Sequence, residues 1–141
     1  MTRVEFFFNV EDKLQKIAEI GEKAIVKNVK LMMFLQNADL ANEVKDYLWA
    51  LEDKFLPNHA PDEALASDTP IVVDWQGGQL LHDEVLVNLQ HPAPIFFSRF
   101  RRLIEIVGVD EQDKVQARSR YKFYRDRGYE IKSYDANSKE I

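Results

Sequence analysis

The chain contains no cysteine, only five glycines among 141 residues, and no apolar run approaching a bilayer span. Each shortage excludes something. Without cysteine there is no disulfide staple, no thiolate metal site and no cysteine nucleophile. That also fits a reducing compartment. The glycines fall where no phosphate cradle can use them. No G-x-G-x-x-G follows the first apolar run, and no G-x-x-x-x-G-K-[ST] occurs, so Gly77-Gly78 reads as a bare turn. A membrane helix needs roughly 18 consecutive apolar residues, which no segment supplies. The first apolar run, VEFFF, is short and is followed at once by acid, unlike a secretory leader. A cytoplasmic protein is therefore expected. His59, His82 and His91 have no metal-like spacing and read as solvated loop residues. Ser98 and Ser119 lack a nucleophile-elbow context. Asp74 beside Trp75 reads as a turn cap before it reads as a catalytic acid. No catalytic residue, cofactor or metal is expected.

What is present describes an ordinary globular domain. Hydrophobic residues make up 45 % and charged residues 30 %, and the length suits one domain over residues 1–141. Val4–Phe8 reads as a strand. Asn9, with Asp12 three residues on, offers a cap for a helix carrying Leu14, Ile17, Ile20 and Ala24 at helical spacing. Lys30–Leu35 is almost unbroken apolar, as a strand buried on both faces would be. Asn37 caps a second helix with Leu40, Val44, Tyr47, Leu48 and Leu51 inward. Pro57–Pro70 reads as a polar loop, Ile71–Trp75 and Val85–Leu89 as strands. Phe96–Phe100 makes one helical turn, and Arg102–Val107 alternates like a strand near an edge. Asp110 starts a last helix that Gly128 stops. Residues from about 134 read as a frayed tail. Strands alternating with helices imply an α/β, three-layer Rossmann-like sandwich. Its sheet is mostly parallel and carries helices on both faces.

One segment stands out against this background. KVQARSRYKFYRDRG, Lys114 to Gly128, holds six basic residues and one acidic residue in a chain of net charge −5. On a helix, Lys114, Arg118, Lys122 and Arg125 form one stripe, with Tyr121 at its border. A solvated face favoured by the helix dipole is one reading. The stripe also suits an acidic peptide with an aromatic end. It equally suits single-stranded nucleic acid, with bases stacked on tyrosine and phosphates on the cations.

ARSRYKFYRDRGYEI, Ala117 to Ile131, resembles the A-R-x-R-Y-K-x-Y-R-x-x-G-[FY] signature of the chi-subunit family of bacterial DNA polymerase III. Val4–Phe8, Leu48-Trp49 followed by Phe55-Leu56-Pro57, and Ile71–Trp75 add to the resemblance. It implies a Rossmann-like fold that binds no nucleotide, in a non-catalytic adaptor. The implied partner is the acidic C-terminal tail of single-stranded-DNA-binding protein, which ends in phenylalanine. The corresponding positions are Lys114, Arg118, Tyr121 and Lys122, with Val107 and Phe55 as apolar walls. In that picture Arg118 or Lys114 receives the terminal carboxylate, and Tyr121, Val107 and Phe55 hold the ring. Lys122 and Arg125 attract the aspartates of the tail. A second implied partner is the psi subunit of the clamp loader, against Pro92, Pro94, Phe96, Phe97 and Phe100. The resemblance further implies a monomer that meets DNA only indirectly. The alternative is a module that binds single-stranded nucleic acid directly through the same helix.

Overall fold

A computed structural model of the chain describes residues 1–51, 58–60, 70–78 and 80–136, with positions 58 and 59 described by backbone alone. The described strands are β1 (Arg3–Val10), β2 (Leu31–Leu35), β3 (Asn58–His59), β4 (Ile71–Asp74), β5 (Val85–Leu89), β6 (Arg102–Gly108) and β7 (Ile131–Asp135). The helices are α1 (Lys13–Val26), α2 (Ala38–Trp49) and α3 (Glu111–Asp126). The strands form one sheet in the order β3-β4-β2-β5-β6-β1-β7, and every pairing is parallel. Among the described residues no helix is long and apolar enough to cross a membrane.

The sheet divides two apolar clusters. On one face, Phe7, Met33, Val87, Ile104 and Ile106 pack with Ile17 and Ala18 of α1 and Val44 and Leu48 of α2. On the other, Phe6, Met32, Leu86 and Leu103 pack with Ala117 and Tyr124 of α3 and with Phe97 and Phe100. Alternate residues of one strand serve opposite layers because side chains alternate across a sheet. β2, LMMFL, is buried at all five positions, as its unbroken apolar run implies.

Several expectations need correcting. Asp12, not Asn9, caps α1, accepting from the Gln15 backbone N–H at 3.1 Å. Asn9 instead has φ 61 and donates from Nδ2 to Asp135 at 3.1 Å. In α2, Leu40 is exposed and Ala41 takes the inner position. The region read as a polar loop contains the two-residue strand β3, whose backbone pairs with β4. β6 is not near an edge. It lies between β5 and β1 and is buried from Leu103 to Gly108. Glu105 made it look half-wet, yet Glu105 is 0 % exposed. Nor does the chain fray at Tyr134. β7 pairs in parallel with β1, and the Tyr134 ring stacks on Phe7 at 5.1 Å. Its polar sequence, IKSYD, is that of a half-exposed edge strand.

Glu105 holds α3 to the sheet. Arg120 donates from Nε to its Oε1 at 2.9 Å. Tyr124 and Asn88 donate to its Oε2 at 2.5 and 2.9 Å. Among the described residues these three donors reach the carboxylate, and such hydrogen bonds favour its ionised form. Burial pushes the carboxyl above its ordinary range, and Arg120, Tyr124 and Asn88 pull it back only in part. Burial, and next to it the Glu105 charge, raise the Tyr124 hydroxyl well above the usual tyrosine range. Arg120 is itself 5 % exposed and Tyr124 0 %. Breaking a buried pair leaves an uncompensated charge and costs about 3–5 kcal/mol. Arg120→Met should therefore lower stability by about that amount in urea unfolding. An unchanged midpoint would mean that the pair does not anchor the helix.

Candidate functional site: a groove between the last helix and the sheet edge

Once Arg120 and Tyr124 are pointed at Glu105, the rest of α3 is oriented. Asp110 caps it through the Gln112 N–H at 3.1 Å, and Glu111 and Asp113 occupy its first turn, where the dipole favours acid. Gly128, at φ 83, ends it in a left-handed turn that costs a residue without Cβ little. Helical periodicity then turns Lys114, Arg118, Tyr121, Lys122 and Arg125 toward β1 and β7.

These five side chains line one open groove of about 620 Å³. Its floor comes from the sheet: Phe6 and Phe8 of β1 and Val107 of β6, with Ala117 of the helix. Phe6 and Tyr121 meet at a ring separation of 5.3 Å and a tilt of 57°, an aromatic contact that leaves the Tyr121 ring half-buried at the groove wall. Among the described residues Lys114, Arg118 and Lys122 have no carboxylate partner, and Arg125 has only its exposed neighbour Asp126 at 3.6 Å. The groove thus offers cations with unused N–H donors around an apolar floor.

The structure brings together six of the seven residues expected here: Lys114, Arg118, Tyr121, Lys122, Arg125 and Val107. Phe55 lies outside the described residues. Phe6, Phe8 and Ser133 were not anticipated as lining. The period-two pattern of VEFFF places Phe6 and Phe8 on one face, but only the register of β1 between β6 and β7 sets that face toward α3. Ser133 belongs to the strand that sequence reasoning missed. The basic block itself divides three ways. Four cations line the groove, Arg120 is buried on Glu105, and the Arg127 guanidinium lies over the Phe123 ring at 3.6 Å.

The second expected surface changes more. Pro94, Phe97 and Phe100 are buried, and Phe97 packs on Tyr124 and Tyr129 at ring separations of 5.0 and 5.1 Å. These side chains are core, because α3 leaves part of its sheet face open and the 92–100 segment fills it. Phe96 is partly buried against Phe34 at 5.0 Å. Of the named five only Pro92 is exposed, joined on that surface by Ile95.

The crevice that nucleotide enzymes use is open, about 450 Å³, but is lined by the protein's own acids and an internal ion pair. It lies between the C-terminal ends of β1 and β6, whose connections leave on opposite faces. There the Asp113 carboxylate accepts from Lys13 Nζ at 2.8 Å and from the Gly108 N–H at 2.7 Å. Asp12 and Asp110 occupy the helix N-termini beside it. Asp74 caps its own turn, accepting from the Gln76 and Gly77 N–H groups at 3.1 and 2.8 Å. His82 is buried rather than solvated. His91 accepts at Nδ1 from Arg120 at 3.1 Å, and its burial, then the Arg120 charge, lower its pKa. Among the described residues no group of acids and histidines is arranged to hold a metal.

The fold and groove define an α/β domain that presents cations around an apolar floor. Residues 1–132 match the family model of the DNA polymerase III chi subunit, HolC. The chain is 33 % identical over 104 residues to the DNA polymerase III subunit chi of Haemophilus influenzae, covering 72 % of each. It is 25 % identical to that of Pseudomonas aeruginosa over 139 residues, covering 95 % of this chain and 96 % of the relative. To that of Escherichia coli it is 23 % identical over 119 residues, covering 83 % and 81 %. The chain belongs to the chi-subunit family of DNA polymerase III, the replication accessory subunits.

Asp113 gives a pH signature. Burial alone would raise its carboxyl, but hydrogen bonds from Lys13 and Gly108 and the Lys13 charge outweigh that and lower it. A lowered folded-state pKa stabilises the protein above the unfolded carboxylate value of about 4, and this is lost as pH falls through the folded value. Asp113→Asn should be less stable by about 1–2 kcal/mol at neutral pH, the scale of a charge-assisted hydrogen bond. Denaturant curves of the two proteins should converge as the pH falls through the lowered folded-state pKa of Asp113. A deficit of constant size from neutral pH to acid would refute this assignment.

Proposed function

We propose that this chi-family protein is a non-catalytic adaptor at the replication fork. Its α3 groove holds the acidic C-terminal tail of single-stranded-DNA-binding protein. Through the psi subunit the chain is in turn joined to the clamp loader. The observation that carries the tail reading is the convergence of Lys114, Arg118, Lys122 and Arg125 on a floor of Phe6, Val107 and Tyr121.

The physical roles follow from position. Arg118 stands between Lys114 and Lys122 on the helix stripe, and its planar fork suits a terminal carboxylate. Tyr121 and Val107 offer the wall for an aromatic ring, a contact worth about 1 kcal/mol beyond its area. Lys122 and Arg125 are exposed, so they act on acidic residues at longer range and raise the association rate more than the affinity. The remainder of the surface is acidic in sum, since the whole chain carries −5. That balance disfavours a long polyanion, which would extend past the stripe over acidic surface, more than a short peptide that fits on the stripe alone. The psi subunit would require a surface apart from this groove. Pro92, Ile95, Ser98 and Arg99 are the exposed residues of the segment expected to serve it.

A fluorescent acidic peptide ending in phenylalanine should bind with an affinity that falls as salt rises. Arg118→Ala should weaken binding by about 2–3 kcal/mol, and Tyr121→Ala by about 1–2 kcal/mol. Amidating the peptide terminus should weaken it by a similar amount. An amidated peptide that binds as well as the free acid would rule out the carboxylate clamp. Displacement of the peptide by an oligonucleotide at equal concentration would favour direct nucleic-acid binding instead.

A further inference from the structure

A second cationic pocket lies on the other face of the sheet, beside α1. Its floor is aliphatic, with Ile20 and Ala24 from the helix and Leu31, Val85 and Ile104 from β2, β5 and β6. Lys16, Lys23, Lys27 and Arg102 surround that floor, and Glu5 is the acid among the lining residues. Arg102 is already satisfied. It donates from Nε and Nη2 to the two Glu5 oxygens at 2.6 and 2.8 Å. The three lysines are not. Lys16 and Lys23 share one Glu19 oxygen, each at 3.5 Å. That is longer than a good N–H···O hydrogen bond. Lys27 has no carboxylate partner among the described residues.

Lys16 is the unusual member. It is 8 % exposed, and its Nζ lies 4.5 Å from the centroid of the Phe7 ring. An ammonium is seldom taken so far from water without a close anion, because its desolvation must be offset. The ring face supplies part of that offset. The Glu19 contact at 3.5 Å supplies little more. The ammonium still has N–H donors to give, and it lines the cavity.

We propose that this pocket binds a small aliphatic carboxylate, with its head on the Lys16 ammonium and its chain over Ile20, Leu31 and Ile104. The volume is about 230 Å³. That is several waters' worth of space, but below the range of drug-sized sites, so the ligand is of fragment size. The net positive rim selects an anion, and the aliphatic floor selects its body. The site lies across the sheet from the α3 groove and owes nothing to the tail-binding reading.

The test is a titration of octanoate into the isotopically labelled full-length chain, followed by amide NMR shifts. Saturable shifts are expected at Lys16, Ile20, Ala24 and Ile104. Octanamide has the same body without the charge and should bind at least about tenfold more weakly. Lys16→Met keeps an unbranched stem over Phe7 and should weaken octanoate by about tenfold or more. It should leave acidic-peptide binding at α3 unchanged, which separates the two sites. If Lys16→Met does not fold, the exposed pair Lys23→Gln and Lys27→Gln should weaken octanoate severalfold while the amide spectrum stays native. The proposal is overturned if octanoate moves none of the α1 amides, if octanamide binds equally well, or if removing these charges has no effect.

Discussion

The position of α3 depends on a carboxylate placed where sheets seldom carry one. Glu105 sits at the middle of β6, a strand with neighbours on both sides, and faces the helix layer. An unpaired acid there would cost several kcal/mol in desolvation. Arg120, Tyr124 and Asn88 are the groups that meet it. Two of the three belong to α3, four residues apart, so they emerge from one helix face. Apolar packing alone would tolerate small rotations of the helix. Two directed hydrogen bonds to one carboxylate do not, and the helix azimuth is set.

That azimuth decides what the remaining charges can do. With Arg120 inward, Lys114, Arg118, Lys122 and Arg125 emerge along one flank, and Tyr121 comes down on Phe6. On the opposite flank Asp113 reaches Lys13 and Gly108 and puts an internal ion pair in the crevice between β1 and β6. One helix therefore forms a cationic groove on one side and lines the crevice with acid on the other. In related architectures the crevice at the strand ends is where phosphates bind. Here acidic caps and an internal ion pair line that crevice, and the cation-lined groove lies to the side, over β1 and β7. The edge strand β7 has a part in this, because Ser133 forms an outer wall of the groove.

Much of the fold was legible in the sequence. LMMFL read as a doubly buried strand because no residue in it needs water, and VLVNL read as a strand with correct ends. The caps Asn37 and Asp110 and the stop at Gly128 were legible because short polar side chains and a Cβ-free residue act locally. β7 and the interior placement of β6 were not. Both depend on partners distant in sequence, and a polar edge strand and a strand with one buried acid both imitate the wrong surroundings. His82 and the aromatics Phe97 and Phe100 were misread for the same reason, since burial is decided by what folds over them.

The basic stripe with its tyrosine was determined by the sequence alone, because residues on one helix keep fixed angular relations wherever the helix lies. So were the missing cysteines and phosphate loops, and the signature that matches the family. Which of the six cations in Lys114–Gly128 line the groove was decided only by tertiary structure. Arg120 is indistinguishable from Arg118 until a buried carboxylate fifteen residues away claims it. Likewise the apolar floor of the groove is contributed by strands whose adjacency to α3 exists only in the sheet. Local geometry is written in spacing, whereas the partner of a charge is settled by the fold.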